Sequence, residues 1–330
     1  MEKNKAPLME LLPLFLAENV PARGPEEEDI DELTYELPET GCDPALPGEG
    51  LARHTMLYVG ENDNRIRLIH DGKIAWSYDT GKGWELDDIA MLLNGNVLFT
   101  HMYWCAEVTP DKKRVWYYKV PEGAEIHSMQ PIGLDRVILY LSAKQPKIMI
   151  INKKTNEVEY ERNVPYDPEM NVHGQSRRMR LTDDNTILIG FMDLHKVVEY
   201  DLELNEIWSY ETERPWSVER LANGNTLITE EALGKVIEVN KQGEIVWEFS
   251  HSEIPAEYGF MGSQGCTRLS NGNTILCSMG DNGKLPQMIE VTPDKKVVWV
   301  VEDWKNLGPC TWVQLLTEPV AASYYKENIL

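Results

Sequence analysis

The feature that most restricts this chain is repetition. A turn followed by a β-rich run recurs as Asn94-Gly95-Asn96-Val97-Leu98-Phe99, Asn223-Gly224-Asn225-Thr226-Leu227-Ile228 and Asn271-Gly272-Asn273-Thr274-Ile275-Leu276. Looser copies stand at Leu134-Asp135-Arg136-Val137-Ile138-Leu139 and Asp183-Asp184-Asn185-Thr186-Ile187-Leu188. The middle turn residues, at positions 95, 135, 184, 224 and 272, are separated by 40, 49, 40 and 48 residues. Periods of this size belong to propellers and solenoids. Asn-Gly supplies the positive φ of a tight hairpin, and β-branched residues suit the strand beside it.

A second unit follows each turn-led run: Lys196-Val197-Val198-Glu199-Tyr200, Lys235-Val236-Ile237-Glu238-Val239 and Gln287-Met288-Ile289-Glu290-Val291. Its period-two alternation is that of a strand buried on one face. Each copy leads through a polar turn to a strand closing on an aromatic, and there are six such closers: Trp76, Trp116, Tyr160, Trp208, Trp247 and Trp299. Their recurrence once per repeat marks them as structural. About four strands per repeat cannot bury both faces of one sheet, whereas a ring of such sheets can.

The pattern therefore predicts an all-β, six-bladed β-propeller over residues 51–318. An acidic extension at 1–50, partly helical or irregular, precedes it, and a short tail at 319–330 follows. Strands at 55–59, 65–69 and 73–76 supply three quarters of a blade, and 311–316 reads as a first strand with nothing after it. Pairing the N-terminal and C-terminal strands completes the sixth blade and removes exposed sheet edges.

Composition narrows the partners. A 42% hydrophobic content over 330 residues is enough for a large core, which excludes wholesale disorder. A formal charge of −22 argues against nucleic acid and anionic lipid. No apolar run is long enough to span a bilayer. Residues 1–50 carry 13 acidic and 3 basic side chains, so the 25–32 stretch reads as a solvated lead-in. The apolar run at 11–17 abuts Glu10 and reads as a short amphipathic helix packed on the domain rather than as a signal peptide. Five cysteines without Cys-x-x-Cys spacing (Cys42, Cys105, Cys266, Cys277 and Cys310) indicate neither a zinc site nor a dense disulfide scaffold.

The succession Leu-x-Asn-Gly-Asn-Thr-Leu-Ile, Lys-Val-x-Glu-Val and Gly-Glu-Ile-Val-Trp resembles the repeats of bacterial arylsulfotransferase-type and quinoprotein-like (PQQ-like) propellers across residues 55–316. That resemblance implies an extracytoplasmic propeller and, in its first form, sulfuryl transfer through a channel histidine. The extra amino-terminal β domain of arylsulfotransferases has no counterpart in the acidic residues 1–50. The adjacent cysteine pair of quinone-dependent dehydrogenases is missing too, so no cofactor is expected.

Loops entering the innermost strands of a propeller converge on the channel mouth, the usual place for a ligand. Counted back from the turns, Asp87, His127, Ser176, Trp216, Gln264 and Cys310 occupy equivalent positions. His127 and His173 are the candidate catalytic residues, because imidazole exchanges protons near neutral pH. Arg177 or Arg178 would neutralise an anionic substrate group. Glu85, Asp87, Asp88, Gln175, Arg177, Trp216 and Gln264 are the candidate substrate-binding set, and Trp84 and Tyr103 could stack on a ring. His101, Glu230 and Asp281 are second-tier candidates. Glu85, Asp87 and Asp88 lack recognised metal-ligand spacing, so no metal is assigned. Two readings follow. One is a small-molecule or carbohydrate-active enzyme, sulfotransferase-like or a glycan lyase or hydrolase, binding a small molecule or oligosaccharide in the channel mouth. The other is a ligand-binding or scaffolding propeller without chemistry, its polar groups capping strand ends.

Overall fold

The computed structural model describes residues 6–18, 20–21, 46–81, 85–166, 171–255, 258 and 263–330. The acidic stretch at 25–32, Cys42 and Trp84 lie outside them. Among the described residues the strands form six four-stranded antiparallel sheets. The innermost strands are Ile89–Met91, Glu125–Ile132, Ser176–Leu181, Pro215–Arg220, Ser263–Arg268 and Trp312–Leu315. Each touches the next around a closed ring. The turn-led runs of the sequence are thus the second strands of their blades, and the stretch before each turn lines the channel.

The repeat residues have specific tasks. The turn glycines Gly95, Gly224 and Gly272 have φ of 89°, 86° and 90°, where a side chain would be strained. The second asparagine of each turn donates to the glutamate of the following unit: Asn96 to Glu107 at 2.5 Å, Asn225 to Glu238 at 2.7 Å, and Asn273 to Glu290 at 2.6 Å. Those glutamates also meet a cation elsewhere on the ring, as in Lys153–Glu107, Arg268–Glu238 and Arg53–Glu290. The closing aromatics fasten distant turns. Trp76, Trp208, Trp247 and Trp299 donate to the carbonyls of Pro110, Lys241, Pro293 and Gly50, Trp116 donates to Asn156, and Tyr160 to the Leu202 carbonyl.

One sheet combines both ends of the propeller. Trp312–Leu315 pairs with Met56–Gly60 in the register Met56 to Leu315 and Val59 to Trp312, followed by Asp63–His70 and Lys73–Asp79. On the face that carries the Asn-Gly turns, a 3-10 helix at Pro7–Leu14 buries Leu8 and Leu12 in the core shared with Trp76. The tail reaches the same face: Gly133 N–H bonds Ser323 O at 2.8 Å, and Ala322 N–H bonds Asp183 at 3.1 Å. The inner strands begin on the opposite face, which is left to the entering loops.

Candidate active site at the channel mouth

Four innermost strands are bulged near their mouth ends. Pairing with the second strand skips between Ile126 and Ser128, Ser176 and Arg178, Pro215 and Val218, and Ser263 and Cys266. The skipped residues include His127, Arg177, Trp216 and Gln264. A bulge leaves a residue out of the ladder and re-aims its side chain, and such features concentrate beside active sites.

His127 is the hub. Its Nδ1 lies 2.5 Å from Asp87 Oδ2 and 3.2 Å from Glu85 Oε2, and its Nε2 lies 2.8 Å from Glu125 Oε2. The side chain is 1% exposed. With carboxylates on both ring nitrogens, both are assigned as donors and the ring as imidazolium. Burial and Arg177 oppose that charge, but the bonds to Asp87, Glu125 and Glu85 prevail and raise His127 to about 10. Burial likewise works against ionising Glu85 and Glu125, yet the imidazole bonds hold both down at about 2.

His173 is the accessible partner, with 41% of its side chain exposed. Its Nδ1 is 2.9 Å from Glu125 Oε2, and Arg177 Nη2 stands 2.7 Å from its Nε2. A guanidinium only donates, so the Arg177 contact is satisfied when Nε2 accepts and Nδ1 carries the proton, and Glu85 Oε1 stands 3.3 Å from the same Nε2. Arg177 also donates to the His173 carbonyl and lies 3.7 Å from Glu85. The two imidazoles meet edge to face, with centroids 5.5 Å apart.

Glu61 enters from the hairpin of the closing blade. Gln264 Nε2 donates to its Oε1 at 2.7 Å, and its own N–H bonds the Thr311 hydroxyl at 2.9 Å. Burial and the carboxylates of Asp87 and Glu85 push Glu61 up to about 8. Burial also raises Asp87. Glu85, His127 and His173 each offer one donor atom within 4.8 Å of the others, as do Glu61, Glu85 and Asp87. Among the described residues, these two sets are the groups near enough to share a cation. The His127 proton and the Arg177 guanidinium provide the positive charge beside them.

The structure therefore unites Glu85, Asp87, His127, His173, Arg177 and, through Glu61, Gln264 in one cluster. It takes three other candidates elsewhere. Asp88 turns inward to Arg178 and Arg180, at 2.7 Å from each. Trp216 is 2% exposed beneath the Arg178 guanidinium, so it offers no face to a ligand at the mouth. Gln175 is engaged by the backbone of Ala143, accepting at 3.2 Å and donating at 2.6 Å. Of the remaining candidates, His101 is buried and stacked on Trp104 at 4.3 Å, Glu230 accepts from Thr212 at 2.6 Å, Asp281 faces Lys284 at 3.3 Å, and Tyr103 is exposed. Two residues escaped sequence reasoning. Glu125 stands two positions before His127, a spacing that hints at a shared strand face, whereas Glu61 arrives only through ring closure.

No family model matches the chain, and no curated protein does. Solved structures do. A protein of unknown function from Bacteroides caccae is 22% identical with a TM-score of 0.71, covering 79% of this chain and 97% of its own. A streptogramin B lyase is 14% identical with a TM-score of 0.57, covering 88% of this chain and 95% of its own. A catalytically inactive virginiamycin B lyase from Staphylococcus aureus with quinupristin is 13% identical, again with a TM-score of 0.57, covering 86% of this chain and 97% of its own. At these identities the likeness is one of fold: this chain is a six-bladed β-propeller.

Proposed function

We propose that the channel mouth is the active site of an enzyme performing an elimination of lyase type on a small molecule or sugar that carries an anionic group, with His173 as the base. The observation that carries this reading is the convergence, from separate blades, of His127, His173 and Arg177 with Glu85, Asp87 and Glu125, with Glu61 within 4.8 Å of Glu85 and Asp87. His173 is the imidazole open to a ligand. A substrate carboxylate draws the Arg177 guanidinium off His173 Nε2, which frees that lone pair beside the acidic C–H. The base takes the proton, the C–H electrons form the double bond, and the leaving oxygen departs with its bonding pair and takes a proton from Glu61. His127 stays charged and holds Glu85, Asp87 and Glu125 in place.

Lyases are among the solved structures of similar fold, which supports an elimination over other chemistries. Both nitrogens of His127 are engaged by carboxylates, so His173 is the imidazole left for either chemistry, and turnover of aryl sulfates would assign it as a nucleophile instead of a base. The test is incubation with uronic-acid glycans, and with aryl sulfates in parallel, following the absorbance of a new conjugated double bond or the release of the phenol. The expected result is unsaturated product from the uronic acid and a loss of about 10²–10⁴-fold in His173→Ala. Equal turnover by wild type and His173→Ala overturns the assigned role. Ligand binding without turnover by wild type favours the ligand-binding reading.

A further inference from the structure

Sequence position marks Gln264 as a residue for substrate, yet its side-chain amide is taken up by Glu61. Gln264 Nε2 donates to Glu61 Oε1 at 2.7 Å, and the residue is 3% exposed. The other end of the amide is idle: Oε1 is buried and meets no donor among the described residues. An unanswered buried acceptor is rare in a folded protein.

The main chains of the pair are pinned. Gln264 O accepts from the Thr229 hydroxyl at 2.8 Å, and Thr229 Oγ1 in turn accepts from Ser217 N–H at 2.8 Å. Glu61 N–H bonds the Thr311 hydroxyl at 2.9 Å, and Thr311 N–H bonds Val59 O at 3.0 Å. Gly265 N–H reaches Thr311 O at 3.1 Å, an approach that a side chain at 265 would block, since its Cβ would stand 2.6 Å from that oxygen. Three neighbouring blades thus hold both backbones, which leaves the amide rotor and the carboxyl proton free to change.

An amide can answer a carboxyl group in both of its states. With Nε2 toward Glu61 it donates to the carboxylate. Turned by half a rotation, it presents Oε1 to the proton of the carboxylic acid. We propose that Gln264 is a positioning residue that turns its amide with the Glu61 proton, holding the carboxyl in place before and after that proton leaves. The inference rests on the reading of Glu61 as the acid of the elimination. Burial and the carboxylates of Asp87 and Glu85 resist charge on Glu61, Arg177 and His127 favour it, and the balance at about 8 populates both states in mildly alkaline solution. In the reaction, the Glu61 O–H breaks toward the leaving oxygen, its electron pair stays on the carboxylate, and Gln264 Nε2 donates to that anion. Water then returns a proton to Glu61 and takes the one held by His173, so the cycle balances.

The experiment follows the Gln264 side-chain amide and the Glu61 carboxyl carbon by nuclear magnetic resonance, in full-length protein labelled at glutamine and glutamate, from neutral to alkaline pH. Gln264→Met and Glu61→Gln assign the two signals. The expected result is an amide that titrates with the same midpoint as the carboxyl and stays flat in Glu61→Gln. In Gln264→Met the Glu61 midpoint rises by about one pH unit, because the anion loses its donor. Should that variant fail to fold, Gln264→Asn, too short by one methylene to hold the bond, replaces it. An amide indifferent to the Glu61 proton, or a midpoint unmoved in the variant, would overturn the proposal. With a uronic-acid substrate, turnover falls as pH rises through the Glu61 midpoint. In the Gln264 variant that limb moves upward, and kcat drops roughly tenfold with KM unchanged. A limb that stays put while the midpoint moves would overturn the role in catalysis. Absence of turnover in wild type would remove the elimination reading, and the coupling of Gln264 to Glu61 would still be decided by the spectra.

Discussion

The two ends of the central channel are built from neighbouring residues that handle charge in opposite ways. Asp87 faces His127 at the mouth, and Asp88 binds Arg178 and Arg180 within the channel. Arg177 contacts His173, while the Arg178 guanidinium lies 4.2 Å from the centroid of Trp312 and 5.2 Å from that of Trp216. His127 joins the mouth, and Ser128 bonds Asp88 at 3.2 Å. At the mouth three carboxylates surround one buried imidazole, so each has a substitute. Within the channel, Asp88 is the carboxylate bound directly to both guanidiniums, and Met129 N–H adds a bond at 3.0 Å. Redundant partners leave room for protons to move. A closed ion cluster between indoles fixes geometry instead.

The largest consequence is for stability. Asp88→Ala leaves Arg178, fully buried, without its carboxylate, which costs about 3–5 kcal/mol. Asp87→Ala removes one of three carboxylates from His127 and costs less, about 1.5–3 kcal/mol for a bond to a charged group. Urea unfolding of the two single variants measures the contrast directly. Equal losses would mean that the extra carboxylates at the mouth do not substitute for one another.

The pH dependence separates the ends further. His127 is raised from 6.5 to about 10, so its contribution to stability is complete below 6.5 and disappears as pH rises through about 10. Glu85 and Glu125 are lowered from 4.5 to about 2, so their contributions are present above 4.5 and vanish as pH falls through about 2. Asp88 is lowered as well: burial opposes its charge, but Arg178 and Arg180 outweigh burial, and its contribution too is lost on the acid side. Thermal melts from neutral to strongly alkaline pH should show a falling limb in wild type that His127→Gln lacks. A limb of the same size in both proteins would place its origin outside the mouth.

Much of this architecture is legible in the sequence because its devices are local. Asn-Gly fixes a turn, the glutamate of Lys-Val-x-Glu-Val answers the turn asparagine, and each closing aromatic fastens a distant turn. The positions of His127, His173, Arg177, Glu85, Asp87 and Gln264 are legible too, since strand entrances in a ring must converge. What the sequence hides is direction. Bulges at His127, Arg177, Trp216 and Gln264 interrupt the period-two alternation, so Trp216 looks equivalent to the mouth residues until the strand is built. Glu61 is hidden for a different reason: its neighbour Gln264 is 203 positions away, and only ring closure joins them.

The smallest effect tests whether the two ends act independently. Tyr324, 7% exposed on the tail, accepts a 2.8 Å bond from Gln314 Nε2, and Gln314 Oε1 takes the Met91 N–H at 2.7 Å. Tyr324→Phe removes one hydrogen bond and leaves Gln314 Nε2 without that acceptor, at about 1 kcal/mol. Because Met91 ends the short inner strand Ile89–Met91, which begins next to Asp88, any shift would reach the ion cluster before the mouth. The expected outcome is a small drop in unfolding free energy with turnover and its pH profile unchanged. A shifted pH profile in Tyr324→Phe would mean that the ion cluster transmits strain to His127, and the channel would then be one coupled unit rather than two.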